Sequence, residues 1–411
     1  MKQSKITVFV KDLSIRIKRE VNQGNFHVRT TIILSLMLTF SAMILGIFIH
    51  DRIRKFLSLP DDSFFPQLNA YSPLSPNSHL QNDLPLSSDL SSFDSPNPRV
   101  IGMRDWIAPK ELQHSMSDEE LFWRASMVPH VVEYPYNRTP KVAFMFLTKG
   151  KVPLAPLWER FFKGHEGLYS IYLHTSPDYT FEPPESSVFY KRRIPSQRVQ
   201  WGRKTMMDAE RRLLANALLD FSNERFILLS EACIPIFNFT TIYHYLINSN
   251  LSFLGLFDDP RSMGRGRYNK RMWPTISLSD WRKGSQWFEA HRRLAVEIVS
   301  DSRYHPVFVD HCKPPCYMDE HYLATLVHKV CPEMTSNWSI TWVDWSRGGS
   351  HPTTFVRRDV SEAFLNRIRH GFNCTYNGQM GSICFLFARK FHLSTLEPLL
   401  KIAPDLLGFN V

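Results

Sequence analysis

An uncharged apolar run from Thr30 to Ile49 constrains this chain more than any other feature of its sequence. A helix rises ~1.5 Å per residue, so a run of this length crosses the roughly 30 Å hydrocarbon core of a bilayer. Seven basic residues precede the run and only three follow it closely, a bias that favours a cytosolic N-terminus. The polar residues after it, from His50 to Arg52, do not resemble a signal-peptidase site. The run therefore predicts an uncleaved anchor that places the following chain outside the cytosol.

The rest of the chain divides around this anchor. Residues 1–29 form the predicted cytosolic tail, and the segment after the anchor, 50–104, is crowded with Ser, Pro, Asp and Asn. Such composition lacks any hydrophobic period and predicts a disordered or extended stem. The globular domain is expected over 105–411.

The charge of the chain limits the ligands that the domain is expected to bind. The formal net charge is +10 and the pI about 9.3, but half of the excess belongs to the first 50 residues. In the tail this charge orients the anchor and favours contact with anionic membrane lipid. The remaining modest excess favours a small anionic ligand, and we expect no nucleic-acid partner.

All six cysteines lie in the C-terminal half of the chain. An oxidising compartment favours disulfides, although the sequence does not fix their pairing. Cys312 and Cys316 have a spacing that also occurs in zinc sites, but a second pair at finger-like spacing is missing, so disulfides or buried thiols are favoured over zinc. A compartment of the secretory pathway is also favoured by five Asn-x-Ser/Thr triplets. These candidate glycosylation sites are Asn137, Asn238, Asn250, Asn337 and Asn373.

Strand-like and helix-like segments alternate through the domain, with 105–124 helical in character ahead of them. The predicted strands are 141–148, 168–175, 225–230 and 382–388, and the predicted helices are 154–162, 204–221, 240–247, 286–300 and 319–330. Alternation at this spacing predicts an α/β fold with a mostly parallel sheet flanked by helices. Ligands of such folds bind at the carboxyl ends of the strands.

Two segments carry residues suited to chemistry. Asp319 and Glu320 fall in the first turn of a predicted helix, where a carboxylate can act as a general base or simply complement the helix dipole. Arg389 and Lys390 follow a predicted strand, where adjacent cations suit a diphosphate but also occur as solvated charge. The residues alone leave both alternatives open.

Eight short segments, taken together and in order, are more specific than either motif. They are Val142–Thr148, Ile171–Pro177, Val199–Gly202, Leu228–Pro235, Lys283–Trp287, Met318–Tyr322, Trp342–Pro352 and Phe387–Phe391. Over about 141–400 the chain resembles the core-2/I-branching β-1,6-N-acetylglucosaminyltransferases, especially their plant branch (glycosyltransferase family 14-like), and more distantly the peptide O-xylosyltransferases.

The resemblance implies a GT-A-like, Rossmann-type fold and inverting transfer of a sugar from a UDP donor. It implies that Glu320 is the catalytic base and that Arg389 and Lys390 hold the donor diphosphate. The family works without a divalent metal, and Asp258-Asp259 does not match the DxD pattern of metal-dependent transferases. We therefore expect no metal and no cofactor beyond the UDP-sugar co-substrate.

Further donor contacts are expected from His174 and Trp345. His174 departs from the animal enzymes, which have an aspartate nearby, and a phosphate-contacting arginine of those enzymes has no clear counterpart in 379–384. Further candidate substrate contacts are Glu231, Trp287, Trp201, Gly202, Asp319 and Arg347.

Together these observations predict a single-pass type II Golgi membrane glycosyltransferase with a lumenal domain. The expected donor is UDP-GlcNAc and the expected acceptor a glycan or glycoprotein, with homo- or hetero-oligomers with other Golgi transferases as a further expectation. One alternative is a glucuronosyl- or xylosyltransferase of the same fold. Another is a catalytically silent lumenal protein that binds glycans or acts as a scaffold.

Overall fold

The computed structural model describes residues 102–131 and 133–409. The predicted tail and anchor, and all but the end of the predicted stem, lie outside these residues. Among the helices that the structure describes, none is both long and apolar enough to cross a bilayer. The anchor over 30–49 stays a prediction.

Nine strands and ten α-helices are distinguished here within the described residues. The strands are β1 (Lys141–Leu147), β2 (Tyr169–His174), β3 (Asn223–Ser230), β4 (Ile234–Pro235), β5 (Glu289–His291), β6 (Thr341–Val343), β7 (Cys374–Tyr376), β8 (Gln379–Gly381) and β9 (Phe387–Arg389). The helices are α1 (Met103–Ile107), α2 (Asp118–Ala125), α3 (Ala155–Phe162), α4 (Lys204–Leu218), α5 (Phe239–Ile247), α6 (Arg292–Ser300), α7 (His305–His311), α8 (Met318–Val330), α9 (Glu362–His370) and α10 (Leu396–Ile402).

The main sheet has the strand order β2-β1-β3-β5. The first three strands are mutually parallel, as predicted, and β5 adds an antiparallel edge beside β3. A second sheet has the order β4-β9-β6, and β7 and β8 form a separate hairpin. The fold is therefore mixed α/β with a parallel-rich sheet.

Successive residues of β1 point to opposite faces of the main sheet and so supply two cores. Ala143 and Met145 join a core that includes residues of α4, α6 and α8. Phe144 and Phe146 join an aromatic core formed with α3, α5 and β9. Phe144 contacts Phe162 edge to face with ring centroids 4.9 Å apart. Helices thus cover both faces, which explains why β1 is apolar nearly throughout.

Several predicted boundaries are wrong. The helix predicted over 286–300 starts only at Arg292, because 289–291 form β5 and pair with β3. The strand predicted over 382–388 begins only at Phe387, as β9. The helical segment predicted over 105–124 is two short helices, α1 and α2.

The cysteines form disulfides and buried thiols, not a zinc site. Cys312 is bonded to Cys316 and Cys374 to Cys384. Cys233 and Cys331 are free and buried.

Candidate active site

The carboxylate of Glu320 lies in the first turn of α8, between two cations. Arg267 Nη1 donates to Glu320 Oε2 at 2.6 Å, and Lys283 Nζ donates to the same oxygen. Burial works to raise the pKa of Glu320, but Lys283 and Arg267 outweigh it, and the net pKa is lowered. The carboxylate is thus ionised at neutral pH, the state that a general base requires.

The backbone around Lys283 is fixed against the start of α8. Lys283 and Phe257 exchange two backbone hydrogen bonds of 2.8 Å, and the Gly284 N–H donates to the Glu320 carbonyl at 2.7 Å. A Cβ at Gly284 would lie 2.5 Å from the carbonyl oxygen of Gly255, so only glycine fits this approach.

An aromatic group extends from Glu320 toward solvent. The guanidinium of Arg267 lies 4.7 Å from the ring centroid of Tyr317, whose ring lies 5.3 Å from that of Trp201. Trp201 also lies 5.4 Å from His351 and is 58% exposed, so it is not a core residue. Gly202 has a φ of +70° and lies against Tyr317.

A second cationic group forms at the end of β9. The guanidinium of Arg389 lies 4.1 Å above the Trp287 ring, and its Nε is buried without a hydrogen-bond partner in the described part of the chain. Burial lowers the pKa of Arg389, while Cys233 and Glu231 act in the opposite direction. Lys390 follows and is half-buried, like Glu231. Glu231 is thus the nearby carboxylate, but it accepts no hydrogen bond from the buried Nε of Arg389.

A five-residue segment, Lys283–Trp287, connects the surroundings of Glu320 with those of Arg389. Its first residue contacts Glu320 and its last residue lies under Arg389. Between them, Gln286 Nε2 donates to Glu210 Oε1 at 2.9 Å. Glu320 and Arg389 are thus supported by the same stretch of backbone.

Two buried carboxyl groups, Asp319 and Glu210, lie close enough to interact, and Asp319 precedes Glu320 in the chain. Burial, followed by the charge of Glu320, raises the pKa of Asp319 to about 6. Burial, followed by the charge of Asp319, raises the pKa of Glu210 well above its usual value. Asp319 is 9% exposed and adjoins Glu320 along the chain, so it belongs to the interior rather than to an open cleft.

The remaining predicted site residues lie in different surroundings. The side chain of His174 is fully buried at the end of β2, and burial followed by Arg212 lowers its pKa to about 4. Its Nε2 accepts from the backbone N–H of Gln197 at 3.4 Å. Trp345 is 50% exposed, and Arg347 is exposed on the same loop.

Sequence reasoning missed Arg267 and Glu210 and noted Lys283 only as part of a motif. The loop that carries Arg267 is rich in Arg, Gly and Tyr, which was the available signal. Glu210 gave no such signal, because its complete burial in α4 is visible only in the structure.

The Asp258-Asp259 pair is held by arginine. Asp258 accepts from Arg265 at 2.6 and 2.7 Å, and Asp259 accepts from Arg261 at 2.8 and 2.9 Å. Within residues 102–131 and 133–409, no group of three or more His, Cys, Asp or Glu side chains is arranged to hold a metal ion.

The candidate glycosylation sites differ in accessibility. Asn238 caps α5 by accepting from the Thr241 N–H at 2.8 Å and is half-buried. The others are exposed, namely Asn137, Asn250, Asn337 and Asn373.

Comparison with known proteins decides the family. The model of the core-2/I-branching enzymes matches residues 142–369. The chain belongs to this family. Glycosyltransferase BC10 of Oryza sativa subsp. japonica is 36% identical over 298 residues, which cover 61% of this chain and 73% of the rice protein. This core-2/I-branching enzyme is therefore a glycosyltransferase, and the resemblance to the plant branch is confirmed. The match includes Glu320 and Lys283, whereas Arg389 lies beyond the end of the family model.

Proposed function

We propose that this protein is an inverting, metal-independent, GT-A-like transferase that moves a sugar from a UDP donor to a hydroxyl of a glycan or glycoprotein. The observation that carries the proposal is the guanidinium of Arg389, which is enclosed above Trp287 with its Nε unpartnered among the described residues. A guanidinium nitrogen buried without a protein acceptor is costly, and an anionic ligand such as a diphosphate stabilises the cation.

The proposed reaction is a single displacement. A carboxylate oxygen of Glu320 takes the proton of the acceptor hydroxyl while the hydroxyl oxygen attacks C1 of the donor sugar. The C1–O bond to the diphosphate breaks with inversion, and its electron pair leaves on UDP. Arg389 and Lys390 stabilise the negative charge that develops on the leaving group.

Arg267 and Lys283 supply the condition under which Glu320 serves as base. Both donate to Oε2, so they keep the carboxylate ionised. The other oxygen, Oε1, is the proposed acceptor of the hydroxyl proton. The two hydrogen bonds to Oε2 thus orient the carboxylate and keep it ionised, while Oε1 receives the proton.

The sugar is proposed to be GlcNAc, as in the enzymes that give the family its name, with glucuronate and xylose as the alternatives. The compartment is proposed to be the Golgi lumen, reached by a type II anchor over 30–49. Both proposals rest on sequence: the family resemblance for the sugar, and the apolar run with its flanking charge for the compartment.

The test is release of UDP by the full-length protein from a panel of UDP-sugars, with EDTA present. Release from one donor that is lost in Glu320→Gln and in Arg389→Ala supports the proposal and identifies the sugar. If no donor is hydrolysed and UDP does not raise the melting temperature, the proposal is wrong and a silent fold is favoured. A ligand bound at a hundredfold excess over Kd stabilises by about 2.7 kcal/mol, which such a measurement detects.

A further inference from the structure

Glu210 is a fully buried carboxyl group that the proposed reaction does not use. It lies within α4, which packs against α8, and its carboxyl group interacts electrostatically with Asp319 of α8. Its Oε1 accepts from Gln286, whereas its Oε2 is buried without a partner in the part of the chain that the structure describes. A carboxyl group buried in this way is usually costly, so its retention calls for a specific role.

The hydrogen bond from Gln286 fixes the middle of the Lys283–Trp287 segment. The backbone of this segment is held at its first residues by Phe257 and the Glu320 carbonyl, and at its last residue by Ser339 Oγ, which donates to the Trp287 carbonyl at 2.6 Å. The bond to Glu210 is the side-chain anchor between these points.

We propose that Glu210 is a positioning residue of the transferase site, acting through Gln286. By holding Gln286 it fixes the segment whose two ends support Glu320 and Arg389. The inference rests on the proposed function in that it takes these two residues as the base and the diphosphate ligand. It adds one residue that sets the geometry of both at once, without touching substrate.

The chemistry of Glu210 determines which substitution is tolerated. Burial and the neighbouring Asp319 favour the neutral carboxylic acid, since two ionised carboxylates cannot share a buried site cheaply. A neutral acid and a glutamine side chain have nearly the same shape, and both offer an oxygen to the amide of Gln286. Glu210→Gln is therefore expected to preserve the anchor, whereas Glu210→Ala removes it.

The experiment compares the full-length protein with Glu210→Ala, Glu210→Gln and Gln286→Ala. Asn216→Ala is the matched control, because Asn216 is buried on the same helix but bonds to His114 and the Arg212 carbonyl. The first readout is hydrogen exchange of the amides of residues 284–287, and the second is UDP affinity together with kcat.

Glu210→Ala and Gln286→Ala are expected to speed exchange in the segment, weaken UDP binding and lower kcat by about tenfold to a hundredfold, the cost of a site misplaced by about 1 Å. Glu210→Gln is expected to behave as the wild type. A variant that combines Glu210→Ala with Gln286→Ala is expected to lose no more activity than either single variant, since both substitutions remove the same hydrogen bond.

Unchanged exchange in Gln286→Ala, or equal losses in Asn216→Ala, would overturn the positioning role. Gln286→Ala keeps the test decisive even if Glu210→Ala does not fold, because Gln286 is only half-buried. If the wild type releases no UDP from any donor and UDP does not raise its melting temperature, the proposed function fails, while the exchange measurement still decides whether Glu210 holds the segment.

Discussion

Two arginines on strands of this protein are enclosed in opposite ways. Arg225 on β3 is 1% exposed and fully satisfied by protein. It pairs with both oxygens of Glu289 at 2.7 and 2.8 Å and donates to the carbonyls of Ser249 and Leu251 at 3.1 and 2.8 Å. Arg389 on β9 lies against an aromatic ring, with a buried Nε that has no acceptor among the described residues.

The comparison distinguishes a buried arginine that stabilises the fold from one that is proposed to bind a ligand. Desolvation of a guanidinium is offset at Arg225 by a bidentate carboxylate and two carbonyls. At Arg389 the cation–π contact with Trp287 offsets only part of that cost. The same residue type is thus structural where its acceptors come from protein, and is proposed to be functional where they do not.

The largest effect is expected from Arg225→Met. This substitution leaves the buried carboxylate of Glu289 without its partner, so the free energy of unfolding should fall by about 3–5 kcal/mol. Denaturant titration measures this, with Arg389→Met as the matched control that should change stability little. A loss at Arg389 as large as that at Arg225 would break the comparison.

Glu320→Gln is expected to lower the rate of sugar transfer by about 10²–10⁴-fold, the usual contribution of general-base catalysis. UDP affinity should be retained, because the proposed diphosphate ligands lie elsewhere, at the last residue of β9 and just after it. Transfer kinetics and calorimetric UDP titration together test this. Equal loss of both would contradict the division between base and diphosphate ligands.

The double substitution of Arg389 and Lys390 by alanine tests the other half of that division. Hydrogen bonds to charged groups contribute roughly 1.5–3 kcal/mol each, so UDP affinity should fall by at least about tenfold. The melting temperature without UDP should not fall, since Arg389 is poorly satisfied in the free protein. Unchanged UDP affinity would assign the pair to ordinary charge at the end of a strand.

The contrast between β1 and the Glu320 region explains what sequence could predict. β1 is apolar nearly throughout and bounded by Pro140 and Gly150, so local pattern identified it and its parallel partners. The helix that carries Glu320 was also recognised, from its acidic first turn and its motif. Its two cationic partners were not predicted as such, because they lie 37 and 53 residues away and reach the carboxylate only through tertiary packing.

Pairing at the edge of the main sheet explains the error at β5. The apolar stretch before Arg292 fits a helix as well as a strand by period alone, and only pairing with β3 makes 289–291 a strand. Glu210 escaped prediction for a similar reason, since a glutamate within a helix usually faces solvent. Its burial depends on the packing of α8 and on the position of Gln286, neither of which is encoded locally.

The smallest effect is expected from removing divalent cations. If Arg389 and Lys390 carry the charge of the leaving diphosphate, then EDTA should leave the transfer rate unchanged. The acidic pair is engaged, because Asp258 and Asp259 each accept two hydrogen bonds from the guanidinium of an arginine. Hydrogen bonds from Arg261 outweigh burial and lower the pKa of Asp259 to about 2, so this carboxylate stays ionised and paired with Arg261 at neutral pH. Loss of activity in EDTA that Mn²⁺ restores would show that a metal, and not Arg389, neutralises the diphosphate, and the buried cation above Trp287 would then need another explanation.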